Sequence, residues 1–305
     1  MVAYLGRRLV DLVVTLWGIS TILFVVLRLS GDPVALMVTE TTTPEQIAEI
    51  RHLLGFDEPL WKQYIRFLGQ AVTGDFGQSL RYFKPAATVV LETLPATLQL
   101  TALALGLSAA VSLPLGVLAA VRRDSWLDGL IGLFTVVGQA IPFYWLGIIF
   151  ILVFAVWLRV LPSGGSGGVA HLVLPAATLA TYSAARLTQL VRAGTAEVLY
   201  EDYIRTARAK GLHELVVLAR HALPNALIPV ITVLGMEFGI LAGGAVITET
   251  IFAWPGMGRL VVQGVIGRDY PVVQAAVFFV AAFVVLCNLL ADLICSWVDP
   301  RVRAR

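Results

Sequence analysis

Apolar residues run in long stretches along this chain, separated by short charged segments. A helix needs about 20 apolar residues to cross a bilayer. Six stretches approach or exceed that length: Leu9 to Leu29, Ala96 to Val121, Leu127 to Leu158, Leu172 to Val191, Asn225 to Thr248 and Val272 to Trp297. The pattern predicts an all-α polytopic membrane protein with six transmembrane helices. The third stretch is long enough to tilt or kink, and Pro142 lies inside it. The fourth is the most polar, with Arg186 near its end. The first follows Arg7 and Arg8 as a signal peptide would, but its apolar run exceeds the roughly 7–15 residues of a signal core and no Ala-x-Ala site follows. It reads as a retained first helix.

Two segments break the pattern. Gly31 to Pro95 is too long for a casual loop. Within it Thr43 is placed to cap a helix, with Pro44 in the first turn and Gln46 closing a capping box. Ile47, Ile50 and Leu54 predict its apolar stripe and Gly55 its end. A second helix places Leu60, Trp61, Tyr64, Phe67 and Leu68 on one broad face. The segment suits a cap over an outer mouth or a docking surface, with Trp61 and Tyr64 as candidate contacts. The other break is Glu201 to Leu223. Ile204, Ala207, Gly211, Leu215, Leu218 and Ala222 recur three or four apart, with Arg205 and Arg208 on a neighbouring face. Glu201 precedes Arg205 by four residues, the favourable order for a helical pair. Glycine weakens a helix by about 1 kcal/mol relative to alanine, so Gly211 predicts two short helices with a bend. Pro224 should set the start of the fifth span. A basic helix could lie on lipid headgroups, but the small residues Ala207, Ala209 and Gly211 suit a protein groove.

Composition agrees with the pattern. The 305 residues are 58% hydrophobic and 14% charged, against about 25% charged in soluble domains. The net charge of +2 says little about partners; the placement of charge says more. Arg7 and Arg8, then Arg122 and Arg123, then Arg192, Arg205, Arg208, Lys210 and Arg220, then Arg301, Arg303 and Arg305 all fall on one side of six spans. By the positive-inside rule that side is the cytoplasm, which holds both termini. The organisation expected is residues 1–30 as tail and first helix, 31–95 as an extracytoplasmic helical segment, and 96–305 as a core with helices 2–6, including a cytoplasmic loop at 197–224. Cys287 and Cys295 lie eight apart in one apolar run, about 12 Å of helical rise, too far for a disulfide.

Candidate chemistry is sparse. No lysine among Lys62, Lys84 and Lys210 follows a glycine, so no phosphate-cradling loop of the Gly-Lys type is present. His213-Glu214 begins like a zinc motif, but Val217 stands where a second histidine is needed. No metal site, catalytic residue or nucleic-acid partner is expected. Gly164 to Gly168 matches G-x-S-x-G, yet it lies in a Gly/Ser connector without the strand that a nucleophile elbow requires. Glu237, midway along the fifth span, is the clearest intramembrane charge. It either lines a path or pairs with a polar neighbour. Gly243 and Gly244 either pack spans or line the path. Trp254 suits an interface anchor beside a Pro255-Gly256 turn, or a contact in gating or with an external protein.

"RTARAKG" followed by "HALP" resembles the EAA loop of ABC-importer permeases. Ala207, Gly211, Leu223 and Pro224 stand in register with that pattern; Arg205, Thr206 and His221 replace its usual glutamate, first alanine and isoleucine. The departure is similar to the peptide and nickel branch of the family. "SGDPV" (Ser30–Val34), "LPATLQL" (Leu94–Leu100), "ETIFAWPGMGRL" (Glu249–Leu260), "RDYPVVQ" (Arg268–Gln274) and "DPRVR" (Asp299–Arg303) extend the likeness over nearly the whole chain. The resemblance implies a type I importer permease fold in a bacterial or archaeal inner membrane. It implies a second homologous permease, two cytoplasmic ATP-binding subunits that hold ATP and magnesium, and an extracytoplasmic solute-binding protein. Residues Arg205 to Gly211 with His221, Leu223 and Pro224 would couple to the ATPases. The cargo implied is di- or oligopeptides, with nickel or another small solute as the alternative. A self-sufficient secondary transporter is the alternative of another class; it would show inverted repeats and intramembrane charge pairs.

Overall fold

All six apolar stretches are helical in the computed structural model, which describes residues 2–29, 43–53 and 57–298. In chain order the helices are α1 (Val2–Leu29), α2 (Pro44–Leu53), α3 (Leu60–Thr73), α4 (Ala86–Val121), α5 (Trp126–Ala140), α6 (Phe143–Phe150), α7 (Val169–Leu199), α8 (Asp202–Ala209), α9 (Glu214–Val216), α10 (Leu223–Ala226), α11 (Ile228–Ile251), α12 (Met257–Ile266) and α13 (Tyr270–Val298). Two π-helical stretches join them, Ile151–Trp157 after α6 and Val217–Ala222 after α9. Among the described residues α4, α11 and Tyr270–Leu290 of α13 are each long and apolar enough to cross a membrane alone. The apolar part of α1 is shorter, Val10–Val26. Helix α7 is long but carries Arg186, Gln189 and Arg192.

The third expected span is not one helix. Helix α5 and the helix from Phe143 to Trp157 meet at 102°. The cause is local: proline disfavours helical geometry in the residue before it, and Ile141 is extended at ψ 124° with Pro142 at ψ 126°. The fifth span also starts later than expected. Pro224 sits in the short α10, and a separate break at Leu227 precedes α11.

The chain divides into two compact units, residues 1–97 with 255–285, and residues 98–254 with 286–305. In the first, Phe24 of α1 meets Tyr64 edge-on at 5.3 Å and stacks on Phe67 at 5.7 Å. Thr21 Oγ1 lies 2.6 Å from the Tyr64 hydroxyl. The broad face expected on α3 is therefore split: Phe67 is buried, whereas Leu60 and Trp61 are exposed. The capping box of α2 forms as expected, with the Thr43 N–H donating to Gln46 Oε1 at 3.0 Å and the Gln46 N–H to Thr43 Oγ1 at 3.4 Å. The side chains of Ile47 and Ile50, residues Leu54 and Gly55, and the Ser30–Val34 and Asp299–Arg303 motifs lie outside the described part. At the start of α13, buried Asp269 accepts from Ser79 Oγ at 2.5 Å and the Arg81 N–H at 3.2 Å. One carboxylate thus pins the 79–82 turn to the first turn of α13.

The second unit is built around α7, which packs against α5, α6 and α11. The glycine connector before α7 is docked in place. The Gly165 N–H donates to the Phe252 carbonyl at 2.7 Å, and a side chain at Gly164 would collide with that carbonyl. Glycine serves close approach here.

Candidate coupling loop and charged helix interior

The loop after α7 folds into two arms. Helix α8 ends at Ala209, and Gly211 turns the chain at φ +77°, a conformation that glycine adopts without strain. The chain then runs through α9, the π-helical stretch and α10 into α11. Ile204 and Ala207 of the first arm pack on Val217 and Ala222 of the second. The Tyr203 hydroxyl accepts from Asn225 Nδ2 at 3.0 Å. Arg208 donates twice to Glu214, at 2.6 and 3.1 Å, across the bend. These hydrogen bonds hold the Glu214 carboxyl below its usual range, and those same bonds keep the Arg208 guanidinium charged. The apolar spacing expected along the segment shifts: Leu215 is exposed and Val217 is fully buried in its place. The bend at Gly211 and the π-helical stretch reset the helical register.

The candidate coupling residues separate into three groups. Ala207 is buried inside the loop. Arg205, Thr206, Arg208, Ala209, Lys210 and Gly211 are exposed on its outer surface, as is Pro224, with His221 and Leu223 half-buried. Arg205 pairs with Asp202 at 3.2 Å rather than with Glu201, because Glu201 is the residue that precedes the helix.

Deeper in the unit, Glu237 of α11 is fully buried. Its Oε1 accepts from Arg186 Nη1 at 2.8 Å and its Oε2 from Ser183 Oγ at 3.1 Å, both on α7. Glu237 thus pairs with polar neighbours on α7. A second ion pair joins α7 to α5. Arg192 grips Asp128 with two bonds, Nε to Oδ1 at 2.6 Å and Nη2 to Oδ2 at 2.7 Å. Asp128 was not singled out from sequence. It lies in the first turn of α5, which Ser125 caps and where a carboxylate complements the helix dipole. Two costly charges in separate spans were a readable hint that Arg186 and Glu237 meet. Gly243 and Gly244 lie on an exposed face of α11, with open space beside them. Trp254 is buried and its backbone N–H donates to the Glu249 carbonyl at 2.8 Å. Pro255 is exposed, and Gly256 is the extended residue that opens α12. Trp61 is exposed and Tyr64 is turned inward on α1.

An all-helical multi-pass chain whose charged loop is clamped between two core helices has the architecture of a transport permease. Residues 112–304 match the family described as binding-protein-dependent transport system inner membrane component, and residues 1–101 match the N-terminal part of such components. The chain belongs to this family and is a membrane permease subunit of an ABC transporter. It is 37% identical to the dipeptide transport system permease protein DppB of Alkalihalophilus pseudofirmus, over 99% of this chain and 100% of that protein. It is 38% identical to the glutathione transport system permease protein GsiC of Escherichia coli K12, over 99% of each. Among solved structures, the inward-facing MetNI methionine ABC transporter superposes with a TM-score of 0.59 at 21% identity, over 69% of this chain and 96% of that one. That likeness is one of fold.

Proposed function

We propose that this chain forms one half of the path of an ATP-driven importer for di- or oligopeptides. A second homologous permease supplies the other half. Two cytoplasmic subunits bind ATP and magnesium, and an extracytoplasmic binding protein delivers the cargo. Both termini face the cytoplasm. The peptide relatives support the substrate class. The clamped loop between α7 and α11 carries the coupling reading: its two arms share a buried apolar contact, a Tyr203–Asn225 bond and the Arg208–Glu214 pair. Such a loop moves as one body. A push on its outer surface, at Arg205, Thr206, Ala209 and Lys210, is passed to α7 at one end and to α11 at the other. Rocking of rigid helices around a central path is the general form of alternating access.

The test is reconstitution of the complex in proteoliposomes with dipeptide uptake and ATP hydrolysis measured together. Gly211→Trp should leave membrane insertion intact, because a Cβ at that position meets no atom within 4 Å. It strains the bend, because side chains are disfavoured at φ +77°. Hydrolysis should continue while uptake falls. Full uptake by this variant would sink the coupling reading.

A further inference from the structure

Arg186 is in an unusual position. Its side chain is 48% exposed while its partner Glu237 is 1% exposed. The guanidinium carries five N–H donors and spends one on Glu237. No other protein partner of Arg186 stands among the described residues. Glu237 lies nine residues into α11, about 14 Å of rise from its first residue. Arg186 meets Glu237 at that level of α11. Tyr182 and Gln189 stand on the same face of α7, four residues before and three after. Both are exposed, and Gln189 Nε2 donates to Thr135 Oγ1 at 3.0 Å. A face with phenol, guanidinium and amide in series is not one that lipid tails can solvate. Ionisable groups at such depth face a bundle interior or a water-filled cavity.

We infer that Arg186 is a binding site for a carboxylate of the transported solute, with Glu237 and Ser183 as positioning residues. The Glu237 bond fixes one edge of the guanidinium plane. The remaining donors present the fork that pairs with a planar carboxylate. Ser183 takes the second oxygen of Glu237, so the buried carboxylate is satisfied before the solute arrives. Tyr182 and Gln189 flank the fork with neutral polar groups. Every unmodified peptide ends in a carboxylate, so the site holds a group common to the cargo and leaves side-chain selection to other surfaces. This rests on the peptide-importer reading.

The purified complex in lipid nanodiscs, without the binding protein, is titrated with tritiated alanyl-alanine and with its C-terminal amide. Uptake of alanyl-alanine by the complete system is measured in parallel. The wild type should bind the free acid at least about tenfold more tightly than the amide, the size of a charged hydrogen bond. The variant carrying Arg186→Gln and Glu237→Gln removes both charges together and strands no buried carboxylate. It should lose the preference and bind acid and amide alike. If that variant does not assemble, Arg186→Lys decides: it keeps the charge, loses the fork and should show a reduced preference. Equal binding of acid and amide by the wild type, or a preference that survives these changes, overturns the proposal. So does loss of permease pairing with preference intact, which would assign Arg186 to a carboxylate of the second permease. If the complete system takes up no peptide, the peptide reading falls and this site with it. Uptake without the acid preference overturns this site alone.

Discussion

Helix α7 carries two arginines that meet buried acids on other helices, and the two pairs are built differently. Arg192 closes on Asp128 fork to fork, with both carboxylate oxygens engaged at 2.6 and 2.7 Å. Arg186 gives Glu237 a single bond at 2.8 Å and leaves the second oxygen to Ser183. Six residues on a helix turn the face by about 120°, so one helix addresses α5 with Arg192 and α11 with Arg186. The first pair is closed, and its geometry suits a joint between helices. The second is open on its arginine side, and its geometry suits a ligand. Residue type does not distinguish them; Arg192 engages both oxygens of its acid and Arg186 only one.

The comparison can be broken by mutation. The largest effect should come from Arg186→Ala, which leaves Glu237 fully buried without a counter-charge. Breaking a buried pair from one side costs about 3–5 kcal/mol, read as loss of thermal stability of the purified permease in detergent. Replacing both partners, Arg186→Met with Glu237→Leu, should recover most of it. At the closed pair the two ends should differ. Arg192→Ala strands the buried Asp128 and should cost about 3 kcal/mol. Asp128→Ala frees an arginine already 39% exposed and should cost about 2 kcal/mol, the size of a charged hydrogen bond. Equal losses would show that the joint is no more buried on the acid side than on the basic side. Lysine sharpens the contrast further. Arg192→Lys forfeits a two-bond fork and should cost about 1 kcal/mol more than Arg186→Lys, which can keep its single bond.

The smallest effect belongs to the exposed pair in the loop. Arg208 and Glu214 are nearly half exposed, and such pairs contribute about 0.2–1 kcal/mol. The Glu214 carboxyl is held below its usual range by the Arg208 bonds. Its stabilisation is therefore complete above the unfolded carboxyl range, near pH 4.5, and is lost as pH falls through the lower folded value. Glu214→Gln should remove that acid-side dependence in a pH series of unfolding midpoints. A variant whose midpoint still follows wild type below pH 4.5 would assign the dependence elsewhere.

Local features were legible from sequence because their causes are local. The capping box at Thr43 and Gln46 needs only four consecutive residues. The bend at Gly211 follows from one glycine in a helical pattern. The positions of the apolar helices follow from hydrophobic runs, though Pro142 turned the longest into two helices at 102° where a tilt or kink was expected. The inner detail of the loop was less legible. A π-helical stretch shifted the buried position from Leu215 to Val217, and periodicity written for 3.6 residues per turn has no term for it.

By itself the sequence determined which segments are helical and where the charged loop lies. Those properties depend on composition and spacing along one strand of chain. Only the tertiary structure decided which charges meet. Arg186 and Glu237 are 51 residues apart, Arg192 and Asp128 64 apart, and Ser79 and Asp269 190 apart. Each residue turns a helix by about 100°, so a shift of one position in register or a modest rotation of α7 would point either arginine elsewhere. That rotation is set by packing against α5, α6 and α11 together, and no single stretch of the chain encodes it.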